Sequence, residues 1–401
     1  MNTPRSRHGL VAFATAGAVL TALLATVPPA EAKTAGRGGL LSATPVAHLT
    51  PAGVADQLGT IGLDPPAATP HGADEYRLVY RTVGVDGRPT TASGLVIVPR
   101  RHAKVLRVVV HQHGTTVGKN DAPSISLDGF NAELPLYYAA AGYLTVTPDY
   151  LGLGVSPGQP PFLHAGSEAT ASVDMLRATR TFAGRQHLRL DNRLLLTGFS
   201  QGAHAAMALG KALAGGADRH WRVAALAPVS GPYDLADVEL PAVVAGRTDP
   251  LDSAVYLGYL TVSWNPIYHL YGDPAEVFRD PATAALFDAT HSEDEVFGTA
   301  PPSPEAMFTP AYLARLAHPD GGLLRAIREV DTTCDWKPRV PVHLIAARGD
   351  RDVVYGNAEQ CLADLRARGA RGDLSDVGDL THFPGALAAT PHVLALFQHT
   401  R

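Results

Sequence analysis

A strand, a sharp corner and a helix follow one another within residues 193–214, and they constrain the fold more than any other stretch. The run of leucines at 194–196 is typical of a fully buried strand, and small and apolar residues recur at helical spacing from Gln201 onward. Between them lies G-x-S-x-G at 198–202. The two glycines lack a Cβ, so strand and helix can approach closely. The pattern predicts that Ser200 stands on a strained corner with its hydroxyl clear of the sheet. The alternative is an ordinary serine at a plain strand–turn–helix corner.

Apolar strands and helical segments alternate through most of the chain. Strands are predicted at 75–83, 90–98, 104–110, 143–147, 193–198, 223–229, 340–346 and 374–377, and helices at 167–185, 201–214, 358–368 and 390–399. The first two strands flank a turn at 86–89 and indicate a hairpin at one edge. The later alternation predicts an α/β fold, a mostly parallel sheet covered by helices on both faces.

Two segments depart from this rhythm. Residues 33–70 are rich in Ala, Gly, Pro and Thr, and we expect an irregular arm before a catalytic domain at 71–401. Residues 233–336 are long and rich in aromatic side chains, which favours a helical cap inserted before the next core strand. Its aromatic residues are expected mainly to form the core of the cap, with a few left to line an apolar substrate pocket.

The first 32 residues are typical of a signal peptide. A basic start is followed by an apolar, alanine-rich stretch and an A-x-A site at 30–32, which predicts a mature chain beginning at Lys33. An uncleaved membrane anchor is the alternative. No later stretch is long and apolar enough to predict a membrane span. Export permits a disulfide, so we expect Cys334 and Cys361 to be bridged rather than free thiols.

A serine nucleophile needs a base, and the base needs an orienting carboxylate. Where the nucleophile stands on such a corner, the chain order is serine, acid, histidine. Two carboxylates follow the strand at 340–346, and we expect Asp352 to be the acid, with Asp350 as the alternative. His382 is the expected base, in a loop after the last strand. His392 falls within a helical pattern and is expected at the surface.

The oxygen of a tetrahedral intermediate is negative, and two backbone N–H groups are expected to bind it. One is that of Gln201, directly after the nucleophile, and the other that of Thr115 in the loop after an early strand, with Gly114 as the alternative. His111 and His113 precede this loop, but no carboxylate or cysteine accompanies them at ligand spacing. We therefore expect no metal and no cofactor.

With these residues the chain resembles the α/β-hydrolase superfamily over about residues 75–401. The resemblance depends on His-Gly-Thr at 113–115, Pro-Asp-Tyr-Leu-Gly at 148–152, G-x-S-x-G at 198–202, the Gly349-x-x-Asp352 turn and His382. Within the superfamily the chain is most similar to bacterial exported esterases and lipases related to the secretory lipases, with Asp-Trp-Lys-Pro at 335–338 and the long cap. The resemblance implies hydrolysis of carboxylic esters through an acyl-enzyme, without a cofactor.

We therefore predict a secreted serine esterase or lipase that acts on a small-molecule or lipid ester as a monomer. The net charge of −5, with no cluster of Lys and Arg, excludes an electrostatic footprint for nucleic acid, and we expect no stable membrane insertion. A serine peptidase, with the acids at 293–295 binding a peptide amino terminus, is one alternative. An acyltransferase and a non-catalytic binding protein of the same fold are the others.

Overall fold

The described part of the chain is built around one nine-stranded β-sheet. The computed structural model describes residues 36–66 and 70–400, so the predicted signal peptide at 1–32 lies outside the described residues. The nine strands are β1 (Leu40–Leu49), β2 (Ala73–Val83), β3 (Pro89–Pro99), β4 (Leu106–Gln112), β5 (Leu144–Pro148), β6 (Leu190–Phe199), β7 (Arg222–Val229), β8 (Val342–Ala346) and β9 (Gly372–Asp376). Their order is β1-β2-β3-β5-β4-β6-β7-β8-β9. Pairing is antiparallel from β1 to β5 and parallel from β5 to β9.

Helices pack on both faces of this sheet. The α-helices of the described residues are α1 (Pro51–Thr60), α2 (Phe130–Ala140), α3 (Ala165–Arg185), α4 (Gln201–Ala214), α5 (Leu240–Val244), α6 (Pro250–Tyr268), α7 (Glu293–Thr299), α8 (Pro304–Met307), α9 (Pro310–Ala317), α10 (Gly321–Val330), α11 (Gly356–Ala367) and α12 (His382–His399). Those that pack on the sheet are α1 to α4, α11 and α12. On β4, Val108 and Val110 pack with α3, α4 and α11, whereas Val109 packs with α1, α2 and α12. Successive strand residues point to opposite faces, so both faces are buried. The predicted α/β fold is confirmed.

The amino-terminal arm is more regular than expected. Within the segment predicted to be irregular, β1 pairs with the edge of β2 and α1 follows it directly. The strand was not predicted because it contains Pro45 and lacks an alternating pattern of buried and exposed residues. Pairing with β2, rather than the strand propensity of its own residues, stabilises it. A signal for α1 was present, since Thr50 caps the Gly53 N–H and Pro51 occupies the first turn.

Helices α5 to α10 lie between β7 and β8 and enclose a third apolar core. Most aromatic side chains of 233–336 are buried in it, among them Tyr259, Trp264, Phe278 and Phe308. Trp264 also lines one of the cavities described below, and Tyr256 lines both. Within residues 36–66 and 70–400, none of the helices is both long enough and apolar enough to cross a membrane.

A disulfide joins Cys334, after α10, to Cys361 in α11, as predicted. The bridge ties the end of the cap region to a helix that packs against the sheet. It closes a loop over a sequence separation of 27, which stabilises the fold by restricting the unfolded chain.

Replacing both Cys334 and Cys361 by serine is expected to lower the free energy of unfolding by about 3–4 kcal/mol. Urea denaturation of the double variant and of the oxidised parent measures this difference. A single cysteine-to-serine variant is the matched control, and it should be destabilised as much as the double variant because it also lacks the bridge. A loss below about 1 kcal/mol would contradict the assignment of a stabilising role to the bridge.

Candidate active site

Ser200 occupies the corner between β6 and α4 with φ 56° and ψ −124°, a strained conformation for a residue with a side chain. The flanking glycines permit the corner. A Cβ on Gly202 would overlap the carbonyl of Gln112 at the end of β4, and one on Gly198 would overlap the backbone of Gly202. The helix can therefore start directly against the sheet, and its first N–H groups surround the serine.

His382 is the first residue of α12, one step past the loop in which it was expected. Its ring lies against Phe199 with ring centroids 4.4 Å apart, and its side chain is 2% exposed. Nδ1 contacts a carboxylate, while Nε2 is buried without a hydrogen-bond partner among the described residues. The competitor His392 is exposed on the same helix.

The carboxylate that holds His382 belongs to Asp350. Its Oδ2 lies 2.7 Å from His382 Nδ1, and its Oδ1 accepts the N–H groups of Asp352 and Val353, each at 3.0 Å. The side chain is 1% exposed. With both oxygens in use and no freedom to rotate, Asp350 fixes the orientation of the imidazole.

The prediction of Asp352 as the orienting acid is therefore corrected to Asp350. The Asp352 carboxylate accepts instead from the Tyr256 hydroxyl on α6, at 3.4 Å. It also lies near Asp252, whose pKa is raised to about 7 by burial and by the charges of Asp352 and Asp249. The physical reason is the turn itself: Asp350 folds back over the N–H groups that follow it, which turns Asp352 toward the cap.

Thr115 and Gly114 follow β4, and the structure distinguishes them. The N–H of Gly114 donates to Asn131 Oδ1 at 3.0 Å, so it is already occupied. No hydrogen bond involves the Thr115 N–H within the described part of the chain. Asn131 on α2 also donates to the Thr115 carbonyl and to the Thr116 hydroxyl. The loop is thus fixed, and the Thr115 N–H has no acceptor among the described residues. Sequence reasoning missed Asn131 because α2 was not predicted.

Gln201 begins α4, so its N–H has no acceptor within the helix. Its side chain is held in place, since Nε2 donates to Glu168 Oε1 at 2.9 Å. The other oxygen of Glu168 lies 2.8 Å from His204 Nδ1, and all three side chains are buried. This network fixes the first turn of α4, and with it the direction of the Gln201 N–H.

Two cavities meet at Ser200 and Thr115. We call one the apolar cavity; it is about 70 Å³ and is lined mainly by apolar side chains, with Glu239 and Asp352 also in its lining; the apolar ones include Leu163, Leu240, Leu257, Leu260, Leu323 and Ile327. We call the other the acidic cavity; it is about 290 Å³ and is lined by Asp121, Asp128, Glu293, Asp294, Phe130 and Phe383 among others. Gln201 lines the apolar cavity, and His382 lines the acidic cavity. A ligand bound to the serine can therefore extend in two chemically different directions.

The carboxylates around His382 raise the pKa of its imidazole. Burial lowers its pKa, but the hydrogen bond and charge of Asp350, with the charges of Asp352 and Glu239, outweigh burial and raise it. Glu239 was not foreseen. It accepts from the Val354 N–H and from the Asn357 side chain, and burial raises its pKa to about 7. Each of these carboxylates stabilises a cation on the imidazole.

His111 and His113, which precede the Thr115 loop, are buried and line neither cavity. His111 is buried, and burial, with the neighbouring His113, lowers its pKa to about 3. His113 Nδ1 lies 2.7 Å from the Gly114 carbonyl and Nε2 lies 3.3 Å from the Asp149 carbonyl, and the neutral ring donates to one of them. Within residues 36–66 and 70–400, no group of three or more His, Cys, Asp and Glu side chains is arranged to hold a metal ion.

Comparison with known proteins gives structural relatives. No family model matches the chain, and no curated protein sequence matches it. Among solved structures, the rice cell wall degrading esterase LipA from Xanthomonas oryzae is 25% identical with a TM-score of 0.81, covering 91% of this chain and 98% of LipA. A protein from Legionella pneumophila described as a hydrolase is 28% identical with a TM-score of 0.78, covering 89% of this chain and 95% of its own.

Candida antarctica lipase A in its closed state is 14% identical with a TM-score of 0.66, covering 91% of this chain and 82% of its own, which shows a shared fold. LipA and the Legionella protein match nearly end to end with the same architecture and more sequence in common. The chain is therefore a hydrolase with the α/β-hydrolase fold, similar to these esterases.

Proposed function

We propose that the chain is a serine esterase in which Ser200, His382 and Asp350 form the catalytic triad. Ser200 Oγ attacks the ester carbonyl while His382 Nε2 accepts its proton. His382 then gives the proton to the departing alcohol, leaving an acyl group on Ser200. Water, activated by the same nitrogen, releases the acid. Throughout, Asp350 orients the imidazole and stabilises its cation.

The N–H groups of Thr115 and Gln201 are proposed to bind the oxyanion. Both lie beside Ser200, Gln201 as the next residue and Thr115 in the shared lining of the two cavities. Neither N–H has a hydrogen-bond acceptor within residues 36–66 and 70–400. Donors that are fixed before the reaction stabilise developing charge without reorganising, which is worth about 3 kcal/mol for one donor.

One observation carries the proposal: a buried imidazole bonded to Asp350 through Nδ1, with its unpartnered Nε2 in a residue that lines the same cavity as Ser200. His111 also has an unpartnered buried nitrogen, Nδ1, but it lines neither cavity, whereas His382 lines the cavity of Ser200. The serine hydroxyl also has no partner within the described ranges. Catalytic hydrogen bonds of this kind often form only when substrate binds.

Export of the mature enzyme belongs to the same proposal. The disulfide supports it, because such bridges persist in oxidising compartments. Glu293 and Asp294 do not support the peptidase alternative, whereas Glu239 and Asp352, which line the apolar cavity, leave it to the anilide test below. Glu293 and Asp294 line the cavity of His382, on the side of the leaving group, whereas the free amine of an aminopeptidase substrate belongs to the acyl half.

A fluorophosphonate probe tests the proposal directly. We expect one covalent adduct per chain, mapped by peptide mass spectrometry to Ser200, together with hydrolysis of p-nitrophenyl butanoate that stops as labelling proceeds. A panel of aminoacyl anilides should be cleaved far more slowly than the esters. Absence of labelling, or an adduct on another residue with activity retained, would contradict the proposal.

The pH dependence of kcat/KM follows from the raised pKa of His382. The base must be neutral to accept the proton, so activity is expected to fall as pH decreases through this pKa, with the midpoint above 6.5. Asp350→Asn removes the main cause of the rise, and the acid limb of its residual activity is expected at lower pH. Stopped-flow rates between pH 4 and 9 measure both. A midpoint at or below 6.5 in the parent would contradict the assignment.

A further inference from the structure

The proposed roles of Ser200 and His382 place the two halves of an ester substrate in different cavities. His382 must protonate the oxygen of the departing alcohol, so the alcohol half lies on the side that His382 lines, in the acidic cavity. The acyl half then extends into the apolar cavity, away from His382. The unpartnered, fully buried Nε2 of His382 marks the acidic cavity as a place for a ligand.

Apart from His382, the charged side chains that line the acidic cavity are all carboxylates. Four carboxylates line it, from Asp121, Asp128, Glu293 and Asp294, and no Lys or Arg side chain among the described residues does. Asp121 is partly used, because it accepts the Glu293 N–H at 2.9 Å. The Glu293 carboxylate has no hydrogen-bond donor and no ion-pair partner in the described part of the chain. Burial and the charges of Asp121 and Asp294 raise its pKa to about 7. A cation bound beside it would stabilise the ionised carboxylate.

Aromatic rings complete the lining. Phe130 and Phe383 meet edge to face with centroids 5.2 Å apart, and Phe383 is 43% exposed, unusual for so large an apolar side chain. Tyr256 lines the cavity beside Glu293. Aromatic faces attract alkylammonium groups, and a nearby carboxylate adds Coulomb attraction. The same lining repels an anion and offers a neutral alcohol no matching charge.

We propose that the preferred substrate is an ester whose apolar acyl chain fills the apolar cavity and whose alcohol half carries a positive charge, as in esters of quaternary amino alcohols. Glu293 is the specificity-determining residue, with Phe130 and Phe383 contacting the alkyl groups around the charge. This deepens the proposed esterase function and rests on it.

The test compares two esters of nearly equal shape: butanoylcholine and 3,3-dimethylbutyl butanoate, which replaces the ammonium nitrogen by carbon. For the parent enzyme we expect kcat/KM to be about tenfold higher for the cationic ester. Glu293→Gln should bring this ratio close to one. Glu359→Gln removes the same charge from an exposed position on α11 outside both cavities, and should leave the ratio unchanged.

Each outcome is decisive for one claim. A ratio of one or less in the parent enzyme overturns the cationic preference, whether or not Glu293→Gln folds. A high ratio that Glu293→Gln does not lower overturns the role of Glu293. If the parent hydrolyses neither ester, nor p-nitrophenyl butanoate, and takes no fluorophosphonate label, the proposed function itself fails and this inference fails with it. Hydrolysis of p-nitrophenyl butanoate with a ratio of one separates the two failures.

Discussion

Asp350→Asn is expected to lower kcat for p-nitrophenyl butanoate by a factor of about 10³–10⁴. An asparagine can keep the shape of the turn, but its neutral amide no longer stabilises the imidazolium. It can also donate to Nδ1, which would place the imidazole proton on Nε2, the nitrogen that must accept one. KM should change little, because Asp350 lines neither cavity. Steady-state kinetics, with circular dichroism to verify folding, measures the effect.

Asp352→Asn is the matched control. It removes the same charge two residues away, from a side chain that contacts Tyr256 rather than His382. We expect kcat to fall by less than about tenfold, because the Asp352 carboxylate has no direct hydrogen bond to the imidazole, although KM can change because Asp352 lines the apolar cavity. A large loss in Asp352→Asn with a small one in Asp350→Asn would restore the acid that the sequence favoured.

Ser200→Ala is expected to lower kcat by about 10⁵–10⁶, because no other side chain is proposed to form the acyl-enzyme. The fold should persist, since the change removes one oxygen from a corner whose shape the flanking glycines permit. Ser263→Ala is the matched control: its buried hydroxyl has no partner in the described structure and it lines neither cavity. Active-site titration separates true residual activity from contamination, and turnover within tenfold of the parent would contradict the role of Ser200.

Local sequence patterns were sufficient to predict the parallel sheet and the corner that carries Ser200. The leucine run, the glycines at 198 and 202 and the helical spacing after them placed Ser200 on a strained corner, which the structure has. The same reasoning found the strands of the parallel sheet to within a few residues. These features depend on neighbours in the chain, so the sequence contains their signals.

The acid could not be chosen in the same way. Asp350 and Asp352 are both compatible with the turn after β8, and the choice depends on which carboxylate faces a residue 32 positions from Asp350. Gly349 contributes, because a Cβ there would lie 2.7 Å from the Asp379 carboxylate and 3.0 Å from the Leu380 carbonyl, in the loop before His382. Asn131 and Glu239 were missed for the same reason: they act through contacts between distant segments.

The central claim is that Ser200 and His382 act as one catalytic unit supported by Asp350, and a double-mutant cycle tests it most directly. Single-turnover rates are measured for Ser200→Ala, His382→Ala and the double variant with one ester. We predict that the double variant is no slower than the slower single variant, since either change alone removes the whole nucleophilic step. Losses that multiply, giving a double variant slower than both singles by a further large factor, would show independent roles and contradict the account.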